Sequence, residues 1–146
     1  MFGLFKKKDK TSYPKIDSYA VFGTDIHSHL IPGIDDGVQT MEESLQMIRG
    51  LYELGYRKLM TTPHIMSDGY RNTPEIILGG LKKVQEAVAA ANISVTIDAA
   101  AEYYFDEGFL QKLENEKLLL INGKYLLFEI SYMNAPDRLM EVIFKI

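Results

Sequence analysis

The chain alternates strand-like and helix-like segments, and this alternation constrains its fold more than any other feature. Apolar strand patterns occupy residues 19–27, 58–62, 93–102 and 125–130. A helix pattern follows each strand, and these helices begin at Thr40, Thr73, Asp106 and Pro136. Strands that alternate with helices pair in parallel through right-handed crossovers. The sequence therefore predicts an α/β fold of about four β/α units.

Local chemistry marks where the predicted helices begin and end. Thr40 and Glu43 form a capping box, in which each side chain can bond the other residue's backbone N–H group. Gly55 is placed to end this helix in a left-handed conformation. Thr73 followed by Pro74 is the combination of N-cap and first-turn proline that opens a helix. The residues predicted to face the core are Leu45, Ile48, Leu51, Tyr52, Leu78, Leu81, Val84, Val88, Phe109, Leu110, Leu113, Leu139, Val142, Ile143 and Ile146.

Composition limits the classes of protein to consider. The chain has 146 residues, 47% of them hydrophobic and 25% charged, which suits one globular core. A formal net charge of -4 argues against a nucleic-acid surface, because proteins that bind phosphate backbones carry a basic face. Cysteine is absent, which excludes disulfides, thiolate zinc sites and a cysteine nucleophile. These features suit a reducing cytosol, so we expect a cytoplasmic protein.

The basic N-terminal segment stands apart from the rest of the chain. Its lysines follow the apolar residues instead of preceding them, which is the wrong order for a signal peptide. No apolar run approaches the roughly 18 residues of a membrane span. We therefore expect residues 1–17 to be a disordered tail and residues 18–146 to form the folded domain.

Histidine and carboxylate residues lie where the predicted strands end. His27 and His29 stand two residues apart, so their side chains point to the same face of the first strand. His64, Glu102 and Glu129 come at the ends of the second, third and fourth strands. Functional residues of parallel β/α folds gather at these strand ends, and imidazole with carboxylate oxygens binds Mn, Zn or Fe. The pattern predicts a divalent metal site.

Each of these residues also has an ordinary structural interpretation. A strand histidine is often half-buried with one satisfied hydrogen bond, Glu102 could face solvent, and Glu129 could belong to an ion pair. Asp36, on the loop after the first strand, adds another metal-capable side chain near the same edge. A multinuclear metal site explains the recurrence at every strand end better than separate coincidences do.

Several motifs, in consistent order, resemble those of a known family. They are DIHSH at residues 25–29, IPGIDDG at 31–37, EES at 42–44, TTPH at 61–64, AEYY at 101–104 and FE at 128–129. Together they resemble the manganese-dependent tyrosine phosphatases of capsule and exopolysaccharide operons, which belong to the polymerase-and-histidinol-phosphatase (PHP) superfamily. The resemblance runs from about Ser18 to the end of the chain.

The resemblance implies a fold, a cofactor and a substrate. The fold would be a distorted β/α barrel, of which this chain holds the first part. The cofactor would be a cluster of divalent ions, Mn first with Zn and Fe as alternatives, and Asp25 would orient a ligand histidine. The substrate would be a phosphotyrosine protein, in particular a bacterial tyrosine kinase. By motif position, the ligands would be His27, His29, Asp36, His64, Glu102 and Glu129.

The implied reaction is phosphomonoester hydrolysis by a metal-activated water, without a phospho-cysteine intermediate. The absence of cysteine agrees with it. Arg71 is the arginine near His64 that could hold phosphate, although a solvated loop charge is the simpler interpretation. Tyr103, Tyr104 and Phe105 could line an aromatic wall for the substrate ring or could pack in the core.

Other interpretations stay open at this point. Family members extend further and carry additional motifs, so we expect this chain to be the N-terminal part of the domain, a fragment that is inactive alone. It could instead be another PHP or amidohydrolase-like hydrolase, such as a small-molecule phosphoesterase. An amidohydrolase often needs a bridging lysine at a later strand end, where none of Lys58, Lys117 and Lys124 lies. A non-catalytic remnant that binds a partner is the third alternative.

Overall fold

The computed structural model of the protein describes residues 18–115, 117–133, 135–136 and 138–146. The predicted disordered tail, residues 1–17, lies outside these described residues. Strands and helices alternate along the chain as predicted. In chain order the elements are β1 (Thr24–Ser28), α1 (Met41–Glu53), β2 (Lys58–Thr61), β3 (His64–Ile65), α2 (Pro74–Ala90), β4 (Thr96–Ala99), β5 (Glu102–Tyr104), α3 (Glu107–Asn115), β6 (Leu127–Glu129) and α4 (Leu139–Ile143).

The strands form two parallel sheets. One sheet has the strand order β1, β2, β4 and the other has the order β3, β5, β6. Every pairing between these strands is parallel. β3 follows β2 closely along the chain, and β5 follows β4, so that each of these two segments contributes one strand to each sheet. The predicted α/β class with parallel strands is confirmed.

The break between β4 and β5 arises where successive backbone N–H groups take different partners. Ala100 donates to the Thr61 carbonyl at 2.9 Å, whereas Ala101 donates to the Leu119 carbonyl at 3.1 Å. These two acceptors belong to distant parts of the chain, so the local pattern could not reveal the break. The predicted continuous strand over residues 93–102 is therefore wrong, and two short strands replace it.

The sequence also predicts a strand from residue 19, but residues 19–22 form turns and bends. The Tyr19 N–H group donates to the Leu54 carbonyl at 2.7 Å, which holds this segment against the end of α1. Gly23 has a φ of 65°, a conformation that interrupts an extended strand. Val21 is accordingly 82% exposed. β1 begins only after this turn.

The C-terminal elements are shorter than the sequence pattern predicts. β6 covers Leu127–Glu129 instead of residues 125–130, and Tyr125 pairs with Ile121 in an isolated antiparallel bridge. α4 covers Leu139–Ile143 and does not begin at Pro136. Both differences lie at element ends, where local patterns are least informative.

The helix caps follow the predicted chemistry. Thr40 and Glu43 make both hydrogen bonds of the capping box at the start of α1, and Gly55 has a φ of 110° just beyond its end. The Thr73 side chain accepts a hydrogen bond from the Ile76 N–H group at the start of α2. No helix within the described ranges is both long enough and apolar enough to cross a membrane.

Most residues predicted to face the core do so, with one shift on α2. Ile77 is fully buried, whereas the predicted Leu78 is 47% exposed. The buried positions of α2 are therefore spaced four, three and four residues apart, which places Leu78 about 100° away from that face. On the last segment Val142 is buried, but Ile143 and Ile146 are exposed. The buried predicted residues are Ile48, Leu81, Val84, Val88, Phe109 and Val142.

Candidate metal centre

The register of the second sheet brings three of the predicted ligands to one face. His64 on β3 pairs with Glu102 on β5, and Glu129 on β6 pairs with Tyr104, two residues beyond Glu102. Residues two apart on a strand share a face, so these side chains point the same way. His64 Nδ1 lies 3.3 Å from Glu102 Oε2 and 3.8 Å from Glu129 Oε2.

The other two histidines lie at the end of β1: His27 is in the strand, and His29 comes directly after it. The register of β1 against β2 shifts between Asp25 and Ser28, so the strand is irregular at His27. His27 Nε2 lies 3.8 Å from Glu102 Oε1, and His29 Nε2 lies 3.4 Å from Glu102 Oε2. The Glu102 side chain, only 10% exposed, is therefore the carboxylate that links the histidines of both sheets.

Asp36 approaches this cluster from the loop between β1 and α1. Its Oδ1 atom lies 3.5 Å from His64 Nε2 and 3.7 Å from His29 Nδ1. The side chain is 60% exposed, so it sits at the outer edge. An open groove of about 1170 Å³ runs beside it, lined by His27, His29, Asp36 and one face of α1. The groove leaves this side of the cluster open.

Three overlapping groups of side chains each offer ligand atoms within 4.8 Å of one another. His64 Nδ1 is a buried atom without a hydrogen-bond partner among the described residues. A metal ion would satisfy this lone pair, and imidazole with carboxylate donors but no thiolate suits Mn, Fe or Zn. The residues present therefore fit a metal cluster, although their role as ligands stays a prediction. The groups are His27, His29, Glu102; His29, Asp36, His64; and His64, Glu102, Glu129.

Two carboxylates at the cluster, Asp35 and Glu102, have pKa values below their ordinary ones, so both are negatively charged at neutral pH. Hydrogen bonding to Asp35, with Glu102 next in effect, raises the pKa of His29 to about 10. Burial alone would raise the pKa of the Asp35 carboxyl, but hydrogen bonds from His29 and from the Gly37 and His64 backbones hold it below its ordinary value. Burial alone would also raise the pKa of Glu102, but the neighbouring histidines bring it below its ordinary value. These negative charges favour a cation beside them, which is the proton of His29 in the metal-free chain and would be a divalent ion in the loaded site.

The raised pKa of His29 predicts how the stability of the metal-free chain depends on pH. A raised folded-state pKa stabilises the fold fully below the ordinary value of 6.5, and this contribution is lost as pH rises toward about 10. In EDTA, we expect the free energy of unfolding to fall over this interval in the wild type and to fall less in His29→Gln. Urea unfolding at a series of pH values measures both. Parallel curves for the two proteins would contradict the assigned shift.

The residues that orient the histidines differ from the one that the resemblance implies. His29 Nδ1 lies 2.8 Å from Asp35 Oδ2, and His27 Nδ1 lies 2.7 Å from Thr62 Oγ1. Asp25 Oδ2 is buried and has no hydrogen-bond partner among the described residues, so the orienting role implied for Asp25 is not seen. The sequence analysis did not predict either orienting residue. Asp35 is the neighbour of the predicted ligand Asp36, and Thr62 belongs to the TTPH motif.

Arg71 and two of the predicted aromatic residues lie away from the cluster. Arg71 donates from Nε to the Ser67 carbonyl at 2.8 Å and lines a separate cavity of about 330 Å³. Tyr103 and Phe105 are buried and pack against Phe109 in the core. For these two aromatic residues the structure favours core packing over a substrate wall.

Comparison with known proteins places this site in a family. The sequence profile of the capsular polysaccharide synthesis family CpsB/CapC matches residues 23–146. The chain belongs to this family. Tyrosine-protein phosphatase CpsB of Streptococcus agalactiae serotype V is 31% identical over 112 residues, which are 76% of this chain and 46% of that protein. Tyrosine-protein phosphatase YwqE of Bacillus subtilis is 28% identical over 113 residues, 77% of this chain and 44% of that protein.

A solved structure of the CpsB/CapC type agrees in fold. Among the crystal structures of Bacillus subtilis YwqE and Streptococcus pneumoniae CpsB, described as metal-dependent tyrosine phosphatases, one chain matches with a TM-score of 0.76 and 25% identity. The match covers 83% of this chain and 49% of that chain. The family predicted from the motifs is confirmed. This chain spans less than half the length of these curated relatives.

Proposed function

We propose that this chain carries the ligand cluster of a metal-dependent phosphotyrosine-protein phosphatase that acts in capsule or exopolysaccharide regulation. The observation that carries the proposal is the convergence of three histidines and three carboxylates in overlapping groups, with one buried imidazole nitrogen left unpartnered. The names of the relatives, tyrosine-protein phosphatases, support the reaction.

Different side chains of the cluster would have different roles in this reaction. A bound cluster of divalent ions, Mn first, would neutralise phosphate oxygens and activate a water for attack on phosphorus. His27 and His29 with Glu102 would hold one ion, and His64 with Glu102 and Glu129 would hold another. The groove beside Asp36 would admit the phosphorylated side chain. Because the chain has no cysteine, a covalent phospho-cysteine is excluded for these residues.

The same proposal includes the wider setting of the site. The parallel strand order in both sheets supports the first part of a distorted β/α barrel of PHP type. The expected substrate is a phosphotyrosine protein, and the family resemblance implies a bacterial tyrosine kinase. We also expect the protein to act in the cytoplasm.

Two measurements test this proposal. The 146-residue chain is expected to bind Mn²⁺ or Zn²⁺ weakly in calorimetric titration. His64→Ala should weaken that binding further, because it removes a ligand from two of the three groups. The protein isolated from the cells that make it is expected to hydrolyse a phosphotyrosine peptide, to lose that activity in EDTA and to keep it after thiol alkylation. Absence of metal binding, or full activity in EDTA, would overturn the proposal. Hydrolysis of small phosphate esters alone would favour the small-molecule phosphoesterase, and metal binding without hydrolysis would favour a partner-binding role.

A further inference from the structure

Asp35, which is not one of the predicted ligands, makes hydrogen bonds to several parts of the cluster. Its carboxylate is fully buried, and each oxygen accepts from a different part of the site. Oδ2 lies 2.8 Å from His29 Nδ1 and accepts a hydrogen bond from the His64 N–H group at 3.1 Å. Oδ1 accepts from the Gly37 N–H group at 3.0 Å. One side chain therefore contacts the ring of one candidate ligand and the backbone of another.

Asn72 completes this arrangement from the other side of His64. Its side chain is buried, and its Nδ2 group donates to the His64 carbonyl at 2.8 Å and to the Ile34 carbonyl at 2.9 Å. The His64 peptide groups are thus held on the N–H side by Asp35 and on the carbonyl side by Asn72. The Ile34 carbonyl belongs to the loop that carries Asp36, so Asn72 also ties that loop to β3.

We propose that Asp35 and Asn72 are the positioning residues of the metal cluster, which fix His29, Asp36 and His64 relative to one another. This inference rests on the proposed function and concerns residues that hold the ligands. His29 and His64 come from separate parts of the chain, so local backbone structure does not fix the distance between their rings. With Nδ1 of His29 bonded to Asp35, its Nε2 is the nitrogen directed at Glu102, 3.4 Å from Oε2. The ring nitrogen that Asp35 does not contact, Nε2, therefore faces the cluster.

Two near-isosteric substitutions test the positioning role. Asp35→Asn leaves one acceptor oxygen where N–H donors approach from two sides, so it cannot serve both. Asn72→Asp replaces an amide donor by a carboxylate that faces two carbonyl oxygens. Loss of such outer hydrogen bonds typically lowers metal affinity by about 10–100-fold, and we expect a loss in this range for Co²⁺ and Mn²⁺ with each variant.

Matched controls separate this effect from a general loss of structure. Asp98→Asn changes an exposed carboxylate paired with Lys58, and Asn115→Asp changes an exposed amide bonded to the Gln111 carbonyl. Both controls are expected to keep wild-type affinity. Unfolding curves in EDTA show whether each variant is folded, and the visible absorption of bound Co²⁺ reports the ligand geometry, which a purely structural role would leave unchanged.

A measurement on the wild-type chain decides the inference even if Asp35→Asn does not fold. In the Zn²⁺-loaded chain, ¹⁵N spectra of the histidine rings are expected to show His29 with a hydrogen on Nδ1 and the metal on Nε2. Metal on Nδ1, or wild-type affinity and an unchanged Co²⁺ spectrum in both variants, would overturn the positioning role alone. A wild-type chain that binds none of these ions would overturn the proposed metal site and this inference together.

Discussion

Glu102→Gln is expected to remove metal binding from two of the three ligand groups and to lower the rate of phosphotyrosine hydrolysis by about a thousandfold, or about 4 kcal/mol of transition-state stabilisation. Glu102 lies within 3.8 Å of all three histidines of the chain. Glutamine keeps the size of the side chain but removes the negative charge. His64→Ala, which also takes a ligand from two groups, is expected to cause a loss of similar size.

Metal titration of the chain and peptide hydrolysis by the protein isolated from the cells that make it measure the effect of Glu102→Gln. Glu86→Gln is the matched control. Glu86 is exposed on α2, away from the ligand groups, so its variant should behave as the wild type. Arg71→Ala is likewise expected to cost little, because Arg71 lines a separate cavity. Wild-type metal affinity in Glu102→Gln would contradict the assignment of Glu102 as a metal ligand.

Gly37→Ala is expected to disrupt the same site through the backbone and to destabilise the fold by about 1–3 kcal/mol. A Cβ atom at position 37 would lie 2.6 Å from the His29 carbonyl oxygen and 3.1 Å from Asp35 Oδ1, and closer still to the His29 Cβ atom. The two nearest neighbours are the His29 carbonyl oxygen and Cβ atom, which move only with the backbone, so the loop must shift. Asp36 lies on that loop, and metal binding should weaken with the loss of stability.

Gly79→Ala is expected to change the free energy of unfolding in the opposite direction, and it serves as the control for Gly37→Ala. No atom lies within 4 Å of a Cβ built at Gly79, which is an exposed position inside α2. Alanine in a helix interior is favoured over glycine by about 0.8–1.0 kcal/mol, so this variant should be more stable than the wild type. Urea unfolding of both variants measures the two changes in the free energy of unfolding. Equal stabilities for the two would contradict the close approach at Gly37.

The candidate site was predictable from the sequence as far as residue types and strand positions go. The His-x-His pair depends only on the alternation of side chains along a strand, and His64, Glu102 and Glu129 depend on where the apolar patterns stop. Asp36 followed from its place on the loop after the first strand, and the resemblance implied the same residue. Asp25 was assigned an orienting role because it stands in the same motif, but motif membership does not tell which carboxylate reaches a ring nitrogen. That contact belongs to Asp35.

The sequence by itself determined the alternation of strands and helices, the caps at Thr40, Gly55 and Thr73, and the set of metal-capable side chains. These features depend on neighbours a few residues away, so the pattern contains them. Only the tertiary structure decided the break between β4 and β5 and the hydrogen bonds that hold His64. The physical reason is separation along the chain: Asp35 bonds the His64 N–H group 29 residues away, and Asn72 bonds the Ile34 carbonyl 38 residues away. Such bonds depend on how the strands pack, which a local pattern does not contain.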